Sequence, residues 1–190
     1  MELFNIAGKK AIVTGGTRGL GYGMAEGLME AGCEVVIVGT SDKVYDVAKG
    51  FCDRGFKCHG VKADFSKREQ VYQGFNDCVA ALGGDLDIIV NAHGIQRRHS
   101  AEVFPIEEWD EVLNVNLNSV FILCQEAAKI MLKKGYGKSI IPEYKRVIYY
   151  ICNYKNNIKC RKKLLNKHYI NFCNKGLNLT YFIKIMLNKL

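Results

Sequence analysis

A glycine-rich turn at residues 15–21 has the clearest chemical meaning in the sequence, because glycines stand at positions 15, 19 and 21. The turn follows a short apolar run that ends at Thr14, and it opens a helical pattern that continues to Ala31. Glycines at this spacing let the backbone bend tightly and bring bare N–H groups and a helix N-terminus against a diphosphate. A turn that only connects two elements does not need glycines at this spacing. The flanking strand and helix patterns therefore predict a dinucleotide-binding loop.

An arginine pair, Arg97 and Arg98, follows the fourth apolar run and offers a second kind of chemistry. In a parallel sheet, the loops at the carboxyl ends of the strands face the ligand. A guanidinium group binds a carboxylate through two parallel hydrogen bonds. The pair is therefore a candidate site for an acidic substrate, although a solvated basic loop explains it equally well.

Alternating strand and helix patterns must position these residues. The predicted strands are 9–14, 34–38, 56–62 and 86–90, and the predicted helices are 19–31, 41–54 and 66–82. The second strand is apolar after Glu34, as expected of a strand covered on both faces. Strands separated by helices of this length imply right-handed crossovers and a parallel sheet. The pattern predicts an α/β fold with a Rossmann-type doubly wound parallel sheet.

A long helical pattern follows, starting at Pro105 with acidic residues in its first turn. Its apolar positions continue past Asn116, where a bend is expected, to Lys134, after which glycines end the helix. Residues 138–141 open a fifth strand, which Pro142 interrupts. The sheet is therefore expected to be truncated after about the fourth or fifth strand. The fourth strand is expected to keep an exposed edge unless the fifth pairs with it.

Length and composition favour one globular domain and argue against several classes of function. The chain has 190 residues, and no run of about 20 apolar residues is present that would cross a membrane. The first residues lack the basic-then-apolar layout of a secretion signal, so a cytoplasmic location is expected. The eight cysteines form no C-x-x-C pair. They are expected to be reduced thiols, mostly in the core, and no metal site is predicted.

Charge is divided unevenly along the chain. The net charge is +8, but residues 1–138 hold 16 Lys and Arg against 18 Asp and Glu, whereas residues 139–190 hold 11 basic residues and one acid. This boundary predicts a domain at 1–138 and an irregular basic tail at 139–190, either frameshifted or an unrelated fusion, and poorly ordered. Because no amphipathic period or base-reading motif accompanies the charge, we expect neither a nucleic-acid nor a membrane partner.

Four segments together resemble the short-chain dehydrogenase/reductase family over residues 1–138. They are Thr14–Gly21, Asp64 after the third strand, Asn91–Gly94 after the fourth, and Asn114–Leu117. Within the family, residues 94–99 with Glu108-Trp109 are similar to the gluconate 5-dehydrogenases and 2-deoxy-D-gluconate 3-dehydrogenases. The resemblance implies an NAD(P)-dependent interconversion of a secondary alcohol and a ketone on a sugar acid. It also implies a homo-oligomer with helix 116–134 at the subunit interface, although this chain would lack the neighbouring helix.

The resemblance gives a role to most of the polar residues named above. The implied cofactor-binding residues are Gly15, Thr17, Arg18, Gly19, Leu20, Gly21, Thr40, Asp64, Asn91 and Gly94. The glycines of the turn would line the diphosphate, Asp64 would contact adenine, and Asn91 and Gly94 would lie along the adenosine and ribose. Asn116 belongs to the implied catalytic group. Where the family usually reads Asn-Asn-Ala-Gly, this chain has His93 before the last glycine, and a structural role for it is favoured over a catalytic one.

The end of the second strand bears on the choice between NAD and NADP. An acid at this place usually binds the ribose hydroxyls in NAD enzymes, but this chain has Gly39 there. Thr40 and Ser41 offer donors to a 2′-phosphate and Arg18 adds positive charge, whereas Asp42 is placed to reach the ribose instead. Either cofactor is compatible with the sequence, and NADP is slightly favoured.

The proton-transfer residues of the family are not found in this sequence. The family uses a tyrosine, a lysine four residues later and a serine, all beyond about residue 140, and no Tyr-x-x-x-Lys follows Lys138. Tyr45 and Lys49 have this spacing but lie on the adenine half, where a surface pair is the favoured interpretation. Loss of general acid–base catalysis costs about 10²- to 10⁴-fold in rate, so the chain is expected to be inactive. The alternative is a non-catalytic dinucleotide-binding fragment.

Overall fold

The computed structural model describes residues 5–140, which form a parallel sheet and the helices that connect its strands. The strands are β1 (Lys10–Thr14), β2 (Glu34–Gly39), β3 (Cys58–Lys62), β4 (Ile88–Asn91) and β5 (Lys138–Ile140). The helices are α1 (Gly19–Glu30), α2 (Lys43–Asp53), α3 (Arg68–Ala81), α4 (Ile106–Leu113) and α5 (Ser119–Lys134). Each strand and helix lies within a few residues of its predicted place.

The strand order confirms the predicted doubly wound sheet. The order is β3-β2-β1-β4-β5, and every neighbouring pair is parallel. The chain therefore builds outward from β1 through β2 and β3, then returns to the other side of β1 for β4 and β5. Such a reversal opens a crevice at the carboxyl ends of the strands, between β1 and β4.

The short strand β5 covers the outer edge of β4. It pairs in parallel register, with Ile88 opposite Lys138 and Val90 opposite Ile140. The fifth strand therefore pairs with β4, and the exposed edge expected without that pairing is absent here. The predicted irregular tail lies outside the described residues from position 141 onward.

The central strands are buried on both faces, as their unbroken apolar sequence predicts. Residues of β2 from Val35 to Val38 are at most 2% exposed. On one face, alternate residues of β1, β2 and β4 pack with α1 and α2 around the fully enclosed Phe51. On the other face lie equally buried side chains such as Ile12 and Ile89, covered by α3 and α5.

A turn of π-helix, Asn114–Asn118, joins α4 to α5. The sequence predicts an irregularity near Asn116, described as a bend, and the structure has this π-turn at that place. The Ser119 hydroxyl donates a hydrogen bond to the Val115 carbonyl oxygen at 2.6 Å. A π-turn interrupts the regular backbone hydrogen bonds of a helix. The Ser119 hydroxyl bonds one of the carbonyl oxygens within this turn. The π-turn therefore has a specific side-chain support.

The amino ends of the strands are closed by a buried acid, Asp87, which is only 4% exposed. Lys134 Nζ lies 2.8 Å from its carboxylate and Lys9 Nζ lies 3.5 Å away, while the Lys10 backbone N–H donates to its other oxygen at 3.0 Å. Burial raises the pKa of Asp87, but the bonds from Lys134 and the Lys10 amide outweigh burial, and the net pKa is lowered. This cluster ties the end of α5 to β1 and β4.

The remaining predictions on composition concern thiols, membranes and metals. Of the cysteines in residues 5–140, four are buried, one (Cys52) is exposed, and all are free thiols, in agreement with the predicted core role. No helix in this range is long and apolar enough to cross a membrane. No group of His, Cys, Asp and Glu within the same range is arranged to hold a metal ion.

Candidate dinucleotide-binding site

The candidate site lies where β1, β2 and β4 end together. Thr14, the last residue of β1, is in register with Val38 of β2 and with Asn91 of β4. The loops that leave these strands therefore start from one rim, at the point where the strand order reverses. Open α/β sheets bind their ligands at this point.

The glycine turn is closed by backbone contacts that leave no room for side chains. Gly15 has a φ of +67°, and a Cβ built on it would lie 2.9 Å from the backbone of His93. A Cβ on Gly21 would overlap the carbonyl oxygen of Gly15. Gly19 also has a positive φ, +57°, but a Cβ there would meet nothing within 4 Å. Two glycines thus let the turn close, and the third borders open space at the start of α1.

The N-terminus of α1 faces that open space without an internal partner for its charge. Its cap, Arg18, makes no side-chain hydrogen bond to the helix, and the first turn contains no acid. Arg18 is exposed, and Leu20 is 68% exposed. First-turn N–H groups, the positive end of the helix dipole and a guanidinium together suit an anion. This geometry suits an anionic group, and the role of the turn in holding a diphosphate stays a prediction.

Asp64, the predicted adenine contact, lies just after the carboxyl end of β3. Its Oδ1 accepts hydrogen bonds from the Ser66 hydroxyl at 2.7 Å and the Ser66 backbone N–H at 3.0 Å. The bond from that hydroxyl is the main reason the pKa of Asp64 is lowered, against a smaller opposing effect of burial. Asn114 Nδ2 donates to the Ser66 carbonyl at 2.7 Å. The π-turn therefore steadies an ionised carboxylate at the rim.

The end of β2 contains an ion pair that sequence reasoning missed. Lys62 Nζ lies 3.0 Å from Asp42 Oδ1, with both side chains substantially exposed. Lys62 ends β3 opposite Gly39, and a Cβ on Gly39 would lie 2.7 Å from Thr17 Cγ2. A side chain at position 39 would require Thr17 to move. Asp42, the acid that follows β2, is already paired with a cation.

Asn91 and Asn116 differ in what their side chains reach. Asn91 is fully buried, and its Nδ2 donates to Cys124 Sγ at 3.4 Å. Its Oδ1 has no hydrogen-bond partner among the described residues. The side chain thus contacts α5, which leaves any cofactor contact at this position to the backbone.

Asn116 clamps the loop after β4. Its Oδ1 accepts from the Ile95 backbone N–H and its Nδ2 donates to the Ile95 carbonyl oxygen, each at 2.8 Å. The exposed Gly94 precedes the clamped residue. The predicted catalytic asparagine therefore positions the loop through both polar atoms of its side chain.

His93 bridges β1 and the beginning of α5. Its Nδ1 lies 2.7 Å from Thr14 Oγ1, and its Nε2 lies 2.7 Å from Ser119 Oγ. The Phe65 ring stands edge-on at 4.8 Å. Burial lowers the pKa of His93 to about 4, against a smaller opposite effect of the Val115 carbonyl. The imidazole is therefore neutral near pH 7 and fully hydrogen-bonded, consistent with the predicted structural role.

The arginine pair is already engaged by neighbouring side chains. Arg97 Nη2 lies 2.8 Å from Glu111 of α4, and its Nε lies 3.6 Å from Glu108. Glu108 also binds His99 Nε2 at 2.9 Å. Arg98 donates to the Gln96 side chain at 3.3 Å. An acidic substrate would have to compete with two carboxylates at Arg97, whereas the Arg98 partner found among residues 5–140 is an amide.

The strand order and the glycine turn place the chain in the doubly wound α/β class. The family model described as short chain dehydrogenase matches residues 9–141. The chain therefore belongs to the short-chain dehydrogenase/reductase family, and the predicted resemblance is confirmed.

Several relatives are named for sugar-acid oxidation. The chain is 37% identical over 147 residues to a gluconate 5-dehydrogenase of Gluconobacter oxydans, covering 73% of this chain and 54% of that protein. It is 39% identical over 141 residues to a 2-dehydro-3-deoxy-D-gluconate 5-dehydrogenase of Bacillus subtilis, with the same coverage.

A solved structure shows the same likeness. The gluconate 5-dehydrogenase of Burkholderia cenocepacia, in complex with NADP and tartrate, superposes with a TM-score of 0.68 at 36% identity. The match covers 73% of this chain and 54% of that one. The chain thus spans about half the length of the relatives it matches.

Proposed function

We propose that this chain binds a nicotinamide dinucleotide at the rim between β1 and β4. We propose further that its function is that of an oxidoreductase interconverting a secondary alcohol and a ketone on a sugar acid. The open N-terminus of α1, at a turn that only glycines can close, is the observation that carries the proposal. When bound, the nicotinamide would supply the hydride acceptor or donor. The protein's described residues would bind and orient it.

NADP is the favoured cofactor, and the rim at the end of β2 supports this choice. Thr17 crowds Gly39, where an NAD-selecting acid would stand. Lys62 neutralises Asp42, the acid that follows β2. Arg18 gives this side of the rim positive charge for a 2′-phosphate, while Lys62 offsets the opposing charge of Asp42. The NADP named with the Burkholderia relative agrees with this preference.

The substrate class rests on the relatives and on the loop after β4. Gluconate-type sugar acids are the substrates for which the similar proteins are named. Of the two candidate arginines, Arg98 is better placed to receive a carboxylate, because its partner is neutral and that of Arg97 is charged. Arg97 would then hold the loop against α4.

An association of subunits through α5 belongs to the same proposal. Phe121 and Leu132 on this helix are 46% and 57% exposed. Exposed apolar side chains on one helix suit a contact with a second subunit. Light scattering would give a mass above one chain, and Phe121→Glu would lower it.

A non-catalytic dinucleotide-binding role is the second candidate. It is favoured by one observation, the lack of a Tyr-x-x-x-Lys pattern after Lys138. Those positions lie outside the described residues, so the predicted inactivity stays a prediction.

Two measurements on the 190-residue chain separate the candidates. Fluorescence titration with NADPH and NADH measures binding, and the absorbance of reduced cofactor formed from NADP⁺ and gluconate measures turnover. Binding with turnover supports the oxidoreductase, and binding without turnover supports the second candidate. A folded protein that binds neither dinucleotide would contradict both.

A further inference from the structure

His93 belongs to a chain of hydrogen bonds whose direction can be deduced from its end. The Ser119 hydroxyl donates its proton to the Val115 carbonyl at 2.6 Å. Its oxygen, 2.7 Å from His93 Nε2, must then accept, so Nε2 carries the proton. In a neutral ring Nδ1 is the acceptor, so the Thr14 hydroxyl donates to it at 2.7 Å rather than to the Val90 carbonyl oxygen, which lies farther away at 3.3 Å. The His93 backbone N–H in turn points to Thr14 Oγ1 at 3.4 Å.

This series of hydrogen bonds joins the end of β1, the loop after β4 and the start of α5. Thr14 ends β1 immediately before Gly15 of the diphosphate turn. Ser119 begins α5 immediately after the π-turn that holds Asn116. His93, in the loop after β4, is bonded to both. A second link runs parallel to it, since Asn116 clamps Ile95 with two bonds of 2.8 Å.

We propose that His93 is a positioning residue that fixes the distance between the diphosphate turn and Asn116, so that both halves of a dinucleotide are bound together. This inference rests on the proposed dinucleotide-binding function. The adenosine half depends on other contacts, because the turn is also joined to β2 by a hydrogen bond from the Gly16 N–H to the Val38 carbonyl at 3.2 Å. Loss of His93 should therefore uncouple the halves rather than abolish adenosine binding.

An imidazole suits this position because it presents an acceptor and a donor on opposite sides of one rigid ring. The edge-on Phe65 ring, 4.8 Å away, limits its rotation. Alanine would leave the Thr14 and Ser119 hydroxyls without their shared partner. A glutamine amide offers one acceptor and one donor on a chain of similar length and should restore part of the link.

The test compares His93→Ala, His93→Gln and a control, His59→Ala, with the wild-type chain. His59 is a half-exposed histidine paired with Glu34 on the far edge of the sheet. Titrations use NADPH, which occupies both halves, and adenosine 2′,5′-bisphosphate, which occupies the adenosine half only. We expect His93→Ala to weaken NADPH about tenfold, with the bisphosphate changed less than about twofold. His93→Gln should recover most of the loss, and His59→Ala should change neither.

A nitrogen-15 NMR spectrum of the wild-type imidazole gives an independent check if His93→Ala does not fold. Protonation at Nε2 alone supports the directed chain, and protonation at Nδ1 overturns it. Equal weakening of both probes by His93→Ala, or no weakening of NADPH, also overturns the positioning role. Failure of the wild-type chain to bind either probe refutes the proposed function instead.

Discussion

The two ends of the parallel sheet treat charge in opposite ways. At the amino end, Asp87 is buried and its oxygens are bonded by two lysines and a backbone amide. At the carboxyl end, the first turn of α1 has no acid and no capping side chain, and Arg18 is exposed beside it. One end satisfies its charges internally and stabilises the fold. The other leaves donors open, as a ligand site requires, so stability and binding should respond to different substitutions.

The largest effect on stability is expected at the amino end of the sheet, around Asp87. Asp87→Ala removes the acid but leaves Lys9 and Lys134 beside a buried gap, which should lower the free energy of unfolding by about 3–5 kcal/mol. The control is Asp85→Ala, since Asp85 binds the same Lys134 but is 43% exposed. That change should cost less than about 1 kcal/mol. Urea unfolding measures both, and equal losses would contradict the contrast between the ends.

The pH dependence of stability should report His93 separately. Its pKa of about 4 lies below the ordinary 6.5, so the unfolded chain binds the proton more readily between these values. Stability should therefore be full above pH 6.5 and fall by about 1.4 kcal/mol per pH unit towards pH 4. Urea unfolding of wild type and His93→Gln should converge as pH falls. A difference independent of pH would exclude a neutral imidazole with a lowered pKa at this position.

At the carboxyl end of the sheet, a negative charge beside α1 should weaken dinucleotide binding without unfolding the protein. Gly19→Asp places a carboxylate in the empty space beside α1, and Gly19→Asn is the matched control because both residues tolerate a positive φ. The aspartate variant should bind NADPH at least about tenfold more weakly than the asparagine variant. Their unfolding midpoints should agree. Equal affinities would place the diphosphate elsewhere.

The smallest expected effect concerns the choice of cofactor. Lys62→Ala should weaken NADPH by up to about fivefold, because an exposed ion pair contributes little, and leave NADH unchanged or tighter since Asp42 is released. Asp42→Asn should act in the opposite direction on the ratio of the two affinities. Lys57→Ala, just before β3 at the other end of the sheet, is the control. Parallel changes for both dinucleotides would remove Lys62 from the 2′-phosphate side.

Features that depend on backbone geometry could be predicted from the sequence. The apolar run at 35–38 required a strand buried on both faces, and the glycine spacing at 15, 19 and 21 required a tight turn before a helix. Both are present. The bend near Asn116 was also expected, but its support by Ser119 was not.

Features that depend on side chains meeting across the fold could not be predicted. Thr14, His93 and Ser119 are brought together by three separate elements, and no periodic pattern connects them. The pairing of Lys62 with Asp42 likewise requires the ends of two neighbouring segments to be known in space. The sequence allows Arg97 either a substrate carboxylate or a place in a solvated loop, and its pairing with Glu111 could not be predicted because Glu111 lies in the next helix.

The exposed side chain of Leu20 should affect the heat capacity change of ligand binding at the start of α1. It is an apolar side chain, 68% exposed, in the first turn of α1, where no side chain caps the backbone N–H groups. A dinucleotide seated there would remove this surface from water, and dehydration of apolar surface makes the heat capacity of binding more negative. Calorimetry at several temperatures should show a less negative heat capacity change of binding for Leu20→Ala than for the wild-type chain. The heat capacity change of binding would then report an apolar contact made by a ligand that is otherwise held mainly through its charge.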